Sequence, residues 1–150
     1  MKFPKFSLPG SDGTTHTLAD YLGKPFVVYF YPKDNTPGCT VQACAFRDQH
    51  KKLRALGVTV LGVSPDSIAS HQRFIAKEEL PFVLLCDADH KLAEKLGVWG
   101  EKQLYGRKFL GIIRTTFLVG ADGTVAKEWR GVKVAGHVDT VLAAAKLAAE

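Results

Sequence analysis

Three features of the chain predict an α/β fold, a central mixed β-sheet with helices on both faces. Short apolar runs alternate with helical patterns through the first two thirds of the sequence. The first three runs are near-continuous in Val, Phe and Leu, as in strands buried on both faces. Two further runs are separated by Ala121-Asp122-Gly123, which reads as an antiparallel hairpin, and the chain closes on an amphipathic helix.

The elements follow in order. Phe26–Tyr31 is the first strand. A helix from Thr40 to about Leu56 carries Phe46, Leu53 and Leu56 on roughly one side. Val58–Val63 is the second strand, and Ser64-Pro65-Asp66 turns the chain into a helix over Ser67–Lys77, closed off by Pro81. Phe82–Leu85 is the third strand, and Lys91–Leu96 is a short helix stopped by Gly97. Thr116–Val119 and Thr124–Trp129 form the hairpin. His137–Ala149 places Val138, Val141, Leu142 and Ala145 at i, i+3, i+4 and i+7 behind Gly136. The order β-α-β-α-β, then β-β-α, suits a thioredoxin-like fold.

Composition sets the class. A chain of 150 residues, 46% hydrophobic, can bury a core without disulfide or metal, and one domain over 1–150 is expected. The net charge of +5 comes from 20 basic and 15 acidic residues that are mixed along the chain, the densest spots being Lys51-Lys52 and Arg107-Lys108. There is no basic stripe with interleaved aromatics, so no nucleic acid partner is expected. Apolar runs fall short of a membrane span, and Met1-Lys2-Phe3-Pro4-Lys5 leads into no apolar leader region; a cytoplasmic location is expected. Three cysteines in such a chain argue for thiol chemistry or a metal rather than a disulfide framework.

The most telling stretch joins the first strand to the first helix, Tyr31-Pro32-Lys33-Asp34-Asn35-Thr36-Pro37-Gly38-Cys39-Thr40, with Cys44 five residues beyond Cys39. A thiol of ordinary pKa, about 8.5, is only about 3% thiolate at pH 7. Making it mostly thiolate requires a lowering of about 2.5 pH units, worth about 3.5 kcal/mol. A helix N-terminus supplies about 0.3–1 kcal/mol and about 2 at best, so a nearby cation is needed. Arginine suits because it stays charged and offers a fork of donors. Arg47 lies about two turns up the same helix, about 12 Å of rise from Cys39. Arg114 enters from another strand and is the favoured partner. Thr36 has a hydroxyl that can donate to a thiolate while accepting from a substrate hydroxyl. Pro32 and Pro37 stiffen the loop, and Gly38 lets a substrate approach the backbone. A hydroperoxide suits such a site, because its leaving oxygen gains negative charge that Arg114 and the helix-start N–H groups can meet.

Within a helix, Cys39 and Cys44 are separated by about 7.5 Å of rise and about 140° of rotation. Disulfides need Cα atoms within about 7 Å, so an intact helix cannot bridge them. If the bond forms, the first turns must unwind. Two other readings stand beside this one. Cys39, Cys44, Cys86 and His50 are a conceivable zinc set, although the spacing is not a common ligand pattern. A general dithiol exchanger would prefer Cys-x-x-Cys, which is missing. Cys86 ends an apolar run and reads as a small core residue.

At Pro32-x-x-x-Thr36-x-x-Cys39 the chain resembles the peroxiredoxins. The longer string Phe30–Thr40, with Cys44-Ala45-Phe46-Arg47-Asp48, is similar to the bacterioferritin comigratory protein, or peroxiredoxin Q, subfamily. The likeness extends over Phe6-Ser7-Leu8-Pro9, Asp12-Gly13, Gly23-Lys24, Val63-Ser64-Pro65-Asp66, Tyr105-Gly106 and Gly111–Phe117. The resemblance implies a thiol peroxidase with Cys39 as peroxidatic cysteine and Cys44 as resolving cysteine, joined in an intramolecular disulfide. It implies that Thr36 and Arg114 orient and polarise the peroxide and that Pro32 shields the sulfur. It further implies reduction by thioredoxin, no metal or organic cofactor, and a monomer. Gln42 stands where similar chains are often acidic, a departure that puts the reductant preference in question.

Overall fold

The computed structural model describes residues 1–149. A ribbon of β1 (Ser7–Pro9) and β2 (Thr15–Thr17) precedes β3 (Phe26–Phe30). Then come α1 (Pro37–Ala55), β4 (Thr59–Ser64), α2 (Ile68–Glu78), β5 (Val83–Cys86) and α3 (Lys91–Lys95). A hairpin of β6 (Trp99–Leu104) and β7 (Arg107–Ile112) leads into β8 (Thr115–Val119), β9 (Val125–Arg130) and α4 (His137–Ala149).

The central sheet runs β5-β4-β3-β8-β9. β3 pairs in parallel with β4 and in antiparallel with β8, so the sheet is mixed as expected. Every residue of β3 is buried, and its side chains alternate between two cores. Val27 and Tyr29 face Phe46 and Leu53 of α1, Phe74 of α2 and Val141 of α4. Phe26, Val28 and Phe30 face Phe3, Leu92 and Ala93 of α3 and Ile112. Helices therefore cover both faces of a thioredoxin-like sheet. Tyr29 stacks on Phe46 with ring centroids 4.6 Å apart. It also lies opposite Gly62 in the parallel register, where a Cβ would come within 3.0 Å of its ring.

Two expectations need correction. The first helix starts at Pro37, not Thr40, with Thr36 as its N-cap. Pro37 at the first helical position has its φ set by the ring and gives up an N–H that the helix would leave unpaired. Cys39 is thus inside the first turn. The paired strands β6 and β7 were not expected, and neither was the β1–β2 ribbon. In β7 four of six residues are exposed, Phe109 and Leu110 among them, so its apolar side chains show no alternation into a core. The hairpin turns on Tyr105 and Gly106, whose φ values of 51° and 76° fit a two-residue turn with a right-handed twist.

Candidate active site

The antiparallel pairing of β3 with β8 builds the site. Phe30, the last residue of β3, lies opposite Thr115, the first of β8. The segment leaving β3 and the segment entering β8 therefore meet at one end of the sheet. The first is the loop that leads to Cys39 and the second is Arg114, 75 positions away in sequence. Arg114 is fixed at its backbone, where its carbonyl accepts from Val132 N at 2.9 Å.

Arg114 Nη2 donates to Cys39 Sγ at 3.3 Å, and its Nη1 donates to Gln42 Oε1 at 2.6 Å. The guanidinium lies over the start of α1, where a Cβ on Gly38 would sit 3.3 Å from Nη2. A side chain there would press on the guanidinium, which would have to give by a few tenths of an ångström. Cys39 is 1% exposed and packs among Tyr31 and Ala43 in the first core. The N–H groups of Gly38 and Cys39 belong to the unpaired first turn, whereas Thr40 N already donates to the Thr36 carbonyl at 2.8 Å. A cation thus meets the sulfur in a helix turn whose first backbone donors have no partner within the helix.

Other expected residues take specific places. Thr36 Oγ1 donates to the Lys33 carbonyl at 2.8 Å. Its one hydrogen is committed to the loop, so in this state it does not donate to Cys39 as expected; its lone pairs remain to accept from a substrate hydroxyl. Pro32 opens the loop and is half-buried. Arg47 turns away, donating to Asp48 and to the Glu78 carbonyl. Cys44 lies further along α1, half-buried, with Sγ donating to Glu78 Oε2 at 3.4 Å. Cys86 is buried at the end of β5, and burial pushes its thiol up. The zinc set does not form among the described residues: the ligand-type side chains that converge are Asp34, Asp66 and His71, without a cysteine.

Gln42 proves to be an interior residue. It is fully buried one turn beyond Cys39, and its Nε2 has no partner among the described residues. In the wound helix its side chain serves Arg114 rather than the surface. A neutral acceptor fixes the guanidinium without the opposing charge that a carboxylate would bring.

The loop carrying the site is pinned by buried polar groups. Asp34 accepts from Tyr31 Oη and from Ser70 Oγ at 2.8 Å, and pairs with His71 Nδ1 at 2.7 Å. Burial works to raise the Asp34 carboxyl, but the bonds from His71 and Tyr31 hold it below its usual value. Asp34 N donates to Asp66 Oδ2 at 2.7 Å, which ties the loop to the end of β4.

The chain has close relatives among known proteins. A match to the AhpC/TSA family covers residues 1–128. The peroxiredoxin Bcp of Bacillus subtilis (strain 168) is 50% identical over 95% of this chain and 90% of its own length. The chain belongs to the peroxiredoxin family. The peroxiredoxin Bcp of Escherichia coli (strain K12) is 49% identical over 93% of this chain and 89% of its own. A solved structure of the Xanthomonas campestris bacterioferritin comigratory protein, described for its alkyl peroxide reduction, superposes with a TM-score of 0.92 at 45% identity, covering 97% of this chain and 92% of that one. As a peroxiredoxin, the chain is an antioxidant peroxidase of the oxidoreductase class.

Two further ionisable groups surround the site of this peroxiredoxin. Lys102, half-buried on β6, has its pKa lowered by burial and then by repulsion from Arg114, while Cys39 opposes the shift. His137, at the start of α4, is buried, lies 2.8 Å from Thr116 Oγ1 and contacts Phe46 edge-on. Burial and the charge of Arg114 push its pKa down to about 4. The unfolded chain takes up this proton near the ordinary pH of about 6.5, so stability is complete above that pH and is lost as pH falls towards 4. We expect an acid-side loss of about 2 kcal/mol after allowance for solvent screening. Unfolding midpoints in denaturant between pH 7 and 4 measure it, and His137→Gln should flatten that part of the profile.

Proposed function

We propose that the single domain over residues 1–150 reduces hydrogen peroxide and organic hydroperoxides through Cys39, with Cys44 as resolving cysteine and a thioredoxin-type dithiol protein as reductant. One observation carries the reading: Arg114 Nη2 lies 3.3 Å from Cys39 Sγ in the first turn of α1. The Cys39 thiolate attacks the terminal peroxide oxygen. The O–O bond breaks, Cys39 becomes a sulfenic acid, and the leaving oxygen takes a proton to give water or an alcohol. Arg114 and the N–H groups of Gly38 and Cys39 meet the charge on the breaking bond, Thr36 accepts from the substrate hydroxyl, and Pro32 limits access to the sulfur.

The Cys44 thiolate then attacks the Cys39 sulfur. Hydroxide leaves and combines with the proton that Cys44 gave up, so the products are one disulfide and one water. A dithiol reductant restores both thiols at the cost of its own oxidation. The alkyl peroxide reduction described for the Xanthomonas campestris protein supports organic hydroperoxides as substrates. Reduced thiols suit a cytoplasmic setting, and the enzyme acts as a monomer that needs no metal or organic cofactor.

Both cysteines lie in one unbroken helix, so the disulfide requires α1 to open. One equivalent of hydrogen peroxide is expected to remove two hydrogens from the reduced chain and to link the Cys39 and Cys44 peptides in a mass spectrum. Amide exchange over residues 38–46 should accelerate on oxidation. Equal protection in the two redox states would rule out the unwinding, and a chain that survives peroxide unoxidised would rule out the whole cycle.

A further inference from the structure

Cys44 and Glu78 meet across the seam between α1 and α2. The thiol donates to Glu78 Oε2 at 3.4 Å. Three residues along the same helix, Arg47 donates through Nη1 to the Glu78 main-chain carbonyl at 2.7 Å. Glu78 ends α2, and Glu79 beyond it is left-handed, with φ 53°, so the chain turns sharply at this contact. One residue at a helix end therefore grips α1 through both its side chain and its backbone. The peroxidatic chemistry on the Arg114 side of α1 uses neither grip.

We propose that Glu78 is a positioning residue that clasps Cys44, keeping it a protonated thiol and holding α1 wound until Cys39 has been oxidised. The inference rests on the reading of Cys44 as resolving cysteine. A carboxylate that accepts a hydrogen bond from a thiol favours the protonated form and opposes the thiolate by its charge. All but one of the influences on Cys44 act in the same direction. Burial pushes the thiol up, the bond to Glu78 adds to it, Arg47 opposes, and Asp48 on the same helix pushes up again. Tyr29, from β3, is also within electrostatic reach of Cys44 and is neutral, its own pKa raised well above normal by burial.

When the first turns unwind, Cys44 leaves both the carboxylate and the seam. Its proton then passes to water, and the thiolate meets the Cys39 sulfenic acid. The sulfur–sulfur bond forms as hydroxide leaves, and that hydroxide takes up the proton. The clasp thus fixes an order of events: opening, ionisation, then bond formation. A residue acting as general base towards Cys44 would have the opposite effect when removed, since its loss would slow the step.

Glu78→Ala and the near-isosteric Glu78→Gln test this. Rapid-quench mass spectrometry after one equivalent of hydrogen peroxide separates sulfenic acid formation from disulfide formation. The disulfide phase should quicken about fivefold in Glu78→Ala, with Glu78→Gln between it and the parent. In reduced Cys39→Ser protein, the pH midpoint for alkylation of Cys44 by iodoacetamide should fall by about 0.5–1 pH unit when Glu78→Ala is added. A merely structural contact would not move that midpoint. A disulfide phase that is unchanged or slower in both variants, or an unmoved alkylation midpoint, overturns the clasp. A parent chain that forms no Cys39–Cys44 bond refutes the resolving role by itself, and the alkylation midpoint still decides whether Glu78 restrains the thiol.

Discussion

Cys39→Ser protein is expected to consume no hydroperoxide. A serine hydroxyl titrates far above a thiol, and a helix start worth about 1 kcal/mol with one arginine cannot ionise it at neutral pH. The remaining thiols cannot stand in. Cys44 donates to Glu78, and both it and Cys86 have their ionisation opposed by burial. Coupled assays with a thioredoxin system should therefore return to the background rate. Cys44→Ser should behave differently: one turnover of peroxide proceeds and Cys39 remains as a sulfenic acid, trapped by dimedone. Residual peroxidase activity in Cys39→Ser would assign the nucleophile to another cysteine.

Arg114→Met should have the next largest effect. The methionine keeps much of the aliphatic bulk and removes the fork that joins Cys39 to Gln42. Two losses add. The thiolate loses a cation 3.3 Å away, beyond what the helix start supplies. The transition state loses a donor aimed at the breaking O–O bond, commonly worth about 10²–10³ in rate. Oxidation of Cys39 at pH 7 should fall about 10³-fold. The two parts separate by pH: raising it restores the thiolate, seen by absorbance at 240 nm, but leaves the transition-state deficit. Recovery of the full rate at high pH would confine Arg114 to ionising the thiol. Arg114→Lys should restore charge without the two-pronged contact, because an ammonium cannot span Cys39 and Gln42 with a planar fork.

How far the chain announced this arrangement depends on where each signal lies. Pro32, Thr36, Cys39 and Cys44 fall within thirteen residues, so loop chemistry and helix spacing marked them as candidates, although Thr36 spends its hydrogen on the Lys33 carbonyl rather than on Cys39. Arg114 was reachable because the charge deficit at Cys39 demanded a cation. Only the β3–β8 register, however, explains why this arginine arrives. The helix start at Pro37 carried its own signal, a threonine N-cap followed by proline, which the apolar spacing of the later turns obscured. β6 is polar through Glu101, Lys102 and Gln103, and in β7 Phe109 and Leu110 are exposed rather than alternating into a core, so neither strand carried the pattern that marked the central sheet. Glu78 could not be found at all from local pattern: a charged residue at the end of α2 is the commonest kind of surface position until α1 packs beside it.

The buried anchorage of Asp34 has a consequence for the redox cycle. Asp34 is held by Tyr31, Ser70 and His71 through its side chain and by Asp66 through its backbone, only five residues before Cys39. Such a knot acts as a firebreak. In the proposed cycle, melting of the helix start should stop at it rather than spread into β3, leaving the sheet intact while a few residues on one side of the knot are remade. An enzyme following that cycle would pass through its partly unfolded form without exposing the apolar strand that would otherwise invite aggregation.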